Sequence, residues 1–198
     1  GMMPQNGING ATYLALFLSQ FDFQGNAKTY LDIIAETLHK DFFAEKTGLA
    51  YTDPKMGELT MNAGVFNFSK ESEENTIALN FRYPQGVDTD SIKADLEKLE
   101  GPKAVSLSEH GHVPHYVPVD DPMVETLLSV YEKQTGLKGH EQIIGGGTFG
   151  RLLKRGVAYG AMFPGYVNTM HQANEFTEVE DLYRAAAIYA EAIYALIK

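Results

Sequence analysis

Apolar positions in the first forty residues recur at helical spacing. Leu14, Phe17, Leu18 and Phe21 form one stripe, Gly25-Asn26 interrupts it, and Tyr30, Ile33, Ile34 and Leu38 resume it. Two helices are therefore expected after the Pro4-Gln5-Asn6-Gly7 turn, with these side chains inward. From Leu59 the period drops to two. Leu59 to Phe68 reads as one strand, and Ile77, Leu79, Phe81 and Tyr83 alternate with Ala78, Asn80 and Arg82 in a second. Ser69 to Asn75 makes the polar connection, and Pro84 and Gly86 close the second strand. Ser91 to Glu100 predicts a short helix with Ile92, Leu96 and Leu99 inward, stopped by Gly101-Pro102, and Val105 to Ser108 a further strand. Strand, strand, helix, strand is much of a split βαβ unit, an α+β layer with helices on one face.

The remaining chain predicts two more helices around an irregular stretch. Asp121-Pro122 opens the first as N-cap and first helical residue; Met123, Leu127, Val130 and Tyr131 give it a face, and Gly136 closes it. A glycine loop at Gly145 to Gly147, a strand at Val157 to Phe163 and a loop through His171 follow. The final helix is expected to start in a Thr177–Glu180 capping box and to bury Leu182, Ala186, Tyr189, Ile193 and Leu196 or Ile197.

Composition narrows the functional classes. The chain of 198 residues is 44% hydrophobic and 21% charged, the balance of a folded protein. Its 26 acidic against 16 basic residues leave a net charge of −10, and no Lys/Arg run supplies a local basic groove, so no nucleic-acid partner is expected. No apolar run reaches the length that spans a bilayer, so no membrane partner is expected either. The absence of cysteine excludes disulfides, thiolate metal sites and cysteine nucleophiles, and suits a reducing cytoplasm.

Few residues carry candidate chemistry. His171, in Met170-His171-Gln172-Ala173-Asn174-Glu175, lies on a loop before a helix. It reads either as a zinc-ligating imidazole with Asn174 and Glu175 orienting it, or as a helix cap or surface residue. Gly145, Gly146 and Gly147 form either a tight turn or a backbone cradle for a carboxylate; no P-loop or dinucleotide pattern accompanies them. Arg82 shares a strand face with Asn80 and offers a guanidinium fork for a carboxylate, or is simply solvated or ion-paired; Arg151 carries the same two readings. His39-Lys40-Asp41 spells His-x-Asp, but on a helix residues two apart point away from each other. Glu73-Glu74 reads as a solvated pair in the hairpin connection. His110, His112 and His115 read as a loop cluster suited to adventitious metal.

Taken in order, several segments resemble the Xaa-His (β-Ala-Xaa) dipeptidase branch of the di-zinc aminoacylase/carboxypeptidase metallopeptidases. They are Leu79-Asn80-Phe81-Arg82-Tyr83-Pro84, Ile144-Gly145-Gly146-Gly147-Thr148-Phe149-Gly150-Arg151, Phe163-Pro164-Gly165, Met170 to Glu175, and Ala187 to Tyr194. The resemblance is colinear over nearly the whole chain. It implies a ferredoxin-like lid, an antiparallel sheet with helices on one face, over residues 1–138. Residues 139–198 then form a C-terminal strand–loop–helix fragment of an α/β zinc-peptidase domain. It further implies that His171 is the last zinc ligand, that Arg82 grips the C-terminal carboxylate of a dipeptide, and that the Gly145 to Gly147 loop lines the substrate site. The family's His-x-Asp, bridging Asp, Glu-Glu base and a further carboxylate ligand belong to an N-terminal half with no counterpart here. The intact family uses two zinc ions; this chain alone is expected to retain none usefully and to be inactive. Expected partners are a dipeptide in the intact enzyme and either a second copy of the chain or the N-terminal half. The alternative is a non-catalytic, lid-derived module for self-association or for binding peptide carboxylates.

Overall fold

The computed structural model describes residues 3–71, 75–108, 111–160 and 162–198. Glu73-Glu74 and His110 therefore lie outside the described residues, as does Ala161 within the strand expected over Val157 to Phe163. The chain divides into two units, residues 1–115 and 116–198.

In the N-terminal unit the helices are α1 (Gly10–Leu18) and α2 (Gly25–Asp32), and α2 runs on into a π-helical turn, Ile33–Leu38. Asn9 caps α1: its side-chain oxygen accepts from Thr12 N–H at 3.3 Å, while its Nδ2 donates to Ala63 O at 2.7 Å and ties the helix start to the sheet. The π turn ends where His39 N–H donates five residues back to Ile34 O, at 2.8 Å. A small ladder joins β1 (Thr52–Asp53) to β2 (Gly57–Glu58); the main hairpin pairs β3 (Thr60–Asn67) with β4 (Thr76–Arg82), antiparallel. Opposed pairs are Met61↔Phe81 and Ala63↔Leu79 on one face and Thr60↔Arg82 and Asn62↔Asn80 on the other, with a bulge between Ala63 and Val65. Met61 and Ala63 are buried with Leu59, Ala15, Ile34, Leu38, Ile92 and Leu96, so the first face is the core face. Helix α3 (Thr89–Leu96) opens in a reciprocal cap between Asp88 and Ser91 and buries Ile92 and Leu96 as expected.

The chain is α+β as predicted, with the expected hairpin and short helix in place. Val105 to Ser108 runs beside the core without strand pairing, so the hairpin sheet has two strands among the described residues. The stripe expected to face inward from α1 is a correction. Thr12 and Ala15 are buried, whereas Leu14, Phe17 and Phe21 are each more than half exposed. The small side chains let α1 lie close against the π turn, and the described residues of this unit leave the large ones uncovered. Phe17 and Phe21 meet edge to face, ring centres 5.2 Å apart.

The C-terminal unit is built on α4 (Pro122–Thr135) and α5 (Val179–Ile197). Asp121 caps α4 through Met123 N–H at 2.9 Å, and Gly136 ends it in the left-handed region at φ 70°. Asp121 is also gripped by Arg155 Nε at 2.9 Å and Nη2 at 2.6 Å, which holds its carboxyl below the ordinary range. The core comprises Leu127, Val130, Phe163, Ala185, Ile188 and Ala192. Val157 to Phe163 packs on the two helices without becoming a strand, its described residues having no ladder to join; Tyr159 O–H donates to Leu127 O at 2.7 Å, and Tyr189 O–H to Tyr159 O at 3.1 Å. This unit takes in α4, which the resemblance groups with residues 1–138; the packing of α4 on α5 is what brings it here.

Two expectations for the last helix are corrected. Glu178, not Thr177, is the N-cap, and no side-chain capping bond forms. The buried stripe is Ala185, Ile188 and Ala192, one position off the expected Ala186, Tyr189 and Ile193; Leu182 and Ile193 are exposed and Tyr189 only partly buried. The helix is apolar nearly all round, so spacing alone leaves its rotation undetermined. Lys133 and Gln134 on α4 both hydrogen-bond Glu191, and this pins the rotation. Truncating Ile188, 2% exposed, to Ala is expected to cost about 2–5 kcal/mol in urea unfolding. The same change at Ile193, 60% exposed, should stay within about 0.5 kcal/mol.

Candidate functional site

The expected site residues fall in both units. Asn80 and Arg82 lie on β4, whose alternation turns Ile77, Leu79 and Phe81 to the core and these two side chains to the opposite face. Arg82 is half-buried at the strand's last position, opposite Thr60, and its Nε is withdrawn from solvent. A guanidinium rooted on a paired strand is pre-oriented, which suits bidentate contact with a carboxylate.

His171 sits in the C-terminal unit on a loop that ties itself shut. Gln172 N–H donates to Thr169 O at 3.0 Å, Met170 N–H to Asn168 Oδ1 at 3.0 Å and Phe176 N–H to Thr169 Oγ1 at 3.2 Å. Tyr166 O–H closes the base by donating to Phe176 O at 3.2 Å. His171 and Asn174 both adopt left-handed backbone, φ 64° and 59°. Such backbone is uncommon outside glycine, and among other residues Asn and His tolerate it best. Glu175 stabilises the loop differently from expectation: its Oε2 accepts from the backbone N–H of His171 at 3.2 Å. The outcome is an exposed imidazole on a constrained turn.

The glycine loop is also in this unit. A side chain on Gly147 would begin 1.8 Å from Arg151 Nη1, so the guanidinium lies directly on the Gly147 backbone. One on Gly156 would begin 2.1 Å from Gly150 O. At Gly156, where the neighbour is backbone, glycine is needed for so close an approach; at Gly147 the Arg151 side chain fills the space a Cβ would take. Arg151 thus belongs to the loop rather than standing apart from it.

The two titratable residues of His39-Lys40-Asp41 have structural roles. His39 is buried; Thr12 Oγ1 donates to Asn9 O at 3.1 Å and meets His39 Nδ1 at 3.0 Å, while Tyr13 packs edge-on against the ring. Asp41 is buried too, accepting from Glu45 N–H at 2.8 Å and Thr47 N–H at 3.3 Å. Of the histidine loop, His112 contributes its carbonyl, which accepts from Tyr83 O–H at 3.1 Å. Among the described residues no three His, Asp or Glu side chains gather to hold an ion, so they do not by themselves fit a zinc centre, which needs three or four ligands. None of the described helices is long and apolar enough to cross a membrane.

The model of Peptidase family M20/M25/M40 matches residues 19–195. The chain is 49% identical over 196 residues to the "Beta-Ala-Xaa dipeptidase" of Lactobacillus delbrueckii subsp. lactis, covering 98% of this chain and 41% of that protein. It is 37% identical over 198 residues to "Putative dipeptidase YtjP" of Bacillus subtilis (strain 168), covering 100% of this chain and 42% of that protein. The chain thus spans about two fifths of the length of these relatives.

Burial, then the Lys40 and Lys46 charges, hold the pKa of His39 below its ordinary value. The unfolded chain therefore binds this proton at a higher pH than the folded one. Stability should be full above the unfolded value of about 6.5 and fall as pH drops through it towards the lowered folded value. Urea midpoints at pH 7.5 and 5.5 should differ more for the native chain than for His39→Gln.

Proposed function

Since the chain belongs to Peptidase family M20/M25/M40, we propose that it is the C-terminal portion of a zinc-dependent dipeptidase and inactive alone. The observation that carries this reading is the His171 loop, whose left-handed backbone at His171 and Asn174 presents one imidazole to solvent, where by the resemblance the family's last metal ligand would stand. In the intact enzyme two zinc ions would activate the water that hydrolyses the peptide bond. His171 would supply one ligand, with Glu175 and Asn174 fixing the turn that carries it. Arg82 and Asn80 would hold the dipeptide, Arg82 at its C-terminal carboxylate, and Gly145, Gly146 and Gly147 would line the substrate site. On this reading residues 1–138 belong to a ferredoxin-like lid and 139–198 to the catalytic domain of the whole enzyme. The test is zinc content after dialysis, with dipeptidase assays on the same sample in added zinc. Less than stoichiometric metal and no turnover are expected; bound zinc with turnover would overturn the assignment. Supplying the remaining N-terminal part of the Lactobacillus relative should restore zinc-dependent turnover. His171→Ala should cost that complex more than the roughly 10–100-fold typical of losing a ligand's outer partner.

A second reading, a non-catalytic module that self-associates, is favoured by the α1 surface. Residues 1–21 contain no charged side chain, and Leu14, Phe17 and Phe21 stand exposed along it. Sedimentation velocity should then show a dimer that Phe17→Glu converts to monomer. A native chain that is monomeric throughout the micromolar range would remove this reading.

A further inference from the structure

We propose that Asn62 is a further substrate-positioning residue, pairing with Asn80 to hold the peptide unit of a ligand whose carboxylate Arg82 grips. The proposal rests on the carboxylate reading of Arg82 given above.

Asn62 stands directly across the ladder from Asn80, and Thr60 directly across from Arg82. Paired residues share a face, so Thr60, Asn62, Asn80 and Arg82 form one polar patch on the side away from Met61 and Phe81. Asparagine is depleted in strands, because its short amide packs poorly on the pleat and competes for backbone hydrogen bonds. Two of them opposed in mid-hairpin weaken the sheet without adding to its core. A departure from local preference of this kind is the mark of a site held for another purpose.

Spacing fits a small peptide. Positions 80 and 82 are two residues apart, about 7 Å along the strand, and the facing Asn62 lies level with Asn80. A carboxylate at the Arg82 fork places the neighbouring peptide group of the same ligand over the two carboxamides. Each carboxamide offers both a donor and an acceptor, the complement of a peptide N–H and C=O. Asn80 is exposed and Asn62 and Arg82 are half-buried, so the patch is reachable from solvent. At the adjoining bulge Gly64 brings no side chain, and the Asn62 Nδ2 lies over it, 3.4 Å from where one would begin.

The experiment is an amide-detected NMR titration of the 198-residue chain with Ala-Ala, with the C-terminally amidated peptide as control. The native chain should bind Ala-Ala weakly and the amide form at least 10-fold more weakly. Arg82→Ala should weaken Ala-Ala binding at least 10-fold. Asn62→Thr should weaken it about 5-fold or more while raising the thermal midpoint, since threonine suits a strand better. A purely structural Asn62 would instead lose stability on this change, and that result would overturn the proposal. Unchanged Asn62→Thr affinity beside a weakened Arg82→Ala would also overturn it, leaving the Arg82 reading intact. No binding by the native chain, or an Arg82→Ala chain that binds as well, would remove the Arg82 reading and this inference with it.

Discussion

In the β3–β4 hairpin, opposing Met61 to Phe81 and Ala63 to Leu79 sets far more than one sheet face. Side chains alternate with period two, so the register that buries these four also turns Thr60, Asn62, Asn80 and Arg82 outward together. A slip by one residue would send the apolar set to solvent and draw a guanidinium into the core, at a cost no surface contact could offset. The bulge before Val65 lies between these pairs and the turn and offsets them by one residue from the pairs beyond it. Around this hairpin the other elements of the N-terminal unit find their positions. Asn9 binds Ala63 O and anchors α1, while Met61 N–H donates to Phe42 O at 2.8 Å and fixes the segment after the π turn.

How much of this was legible depended on the kind of signal. The hairpin, α3 and α4 were readable because alternation, caps and breakers agreed: Asp121-Pro122 before α4 and Gly136 after it each name a specific backbone geometry. The burial of α1 and α5 was misread because both helices are apolar on several sides. Large side chains dominate a periodicity argument, yet closest packing here goes to Thr12, Ala15, Ala185 and Ala192, which allow backbones to approach. Val157 to Phe163 has strand-like composition, but composition cannot supply a neighbouring strand.

The candidate site was legible in parts. Asn80 and Arg82 followed from alternation, and the His171 loop stood out as an imidazole between turn and helix. The left-handed backbone at 171 and 174 and the Glu175 bond to a backbone N–H rather than to the ring were not. Neither was Asn62, since strand pairing across an irregular connection cannot be counted from spacing when a bulge intervenes. A signal did exist in retrospect: Asn is an unexpected residue in the middle of Thr60–Asn67.

The π turn at Ile33–Leu38 has a consequence for chain length. One π turn is geometrically an α-helix with one residue too many, accommodated by a wider loop of backbone. Removing a single residue there would let the turn close to α geometry while the chain before and after it keeps nearly the same bearing. The His39 N–H would then bond four residues back in place of five, with its ring still directed at Thr12. The extra residue is thus one that the fold accommodates locally, at the cost of a single widened turn.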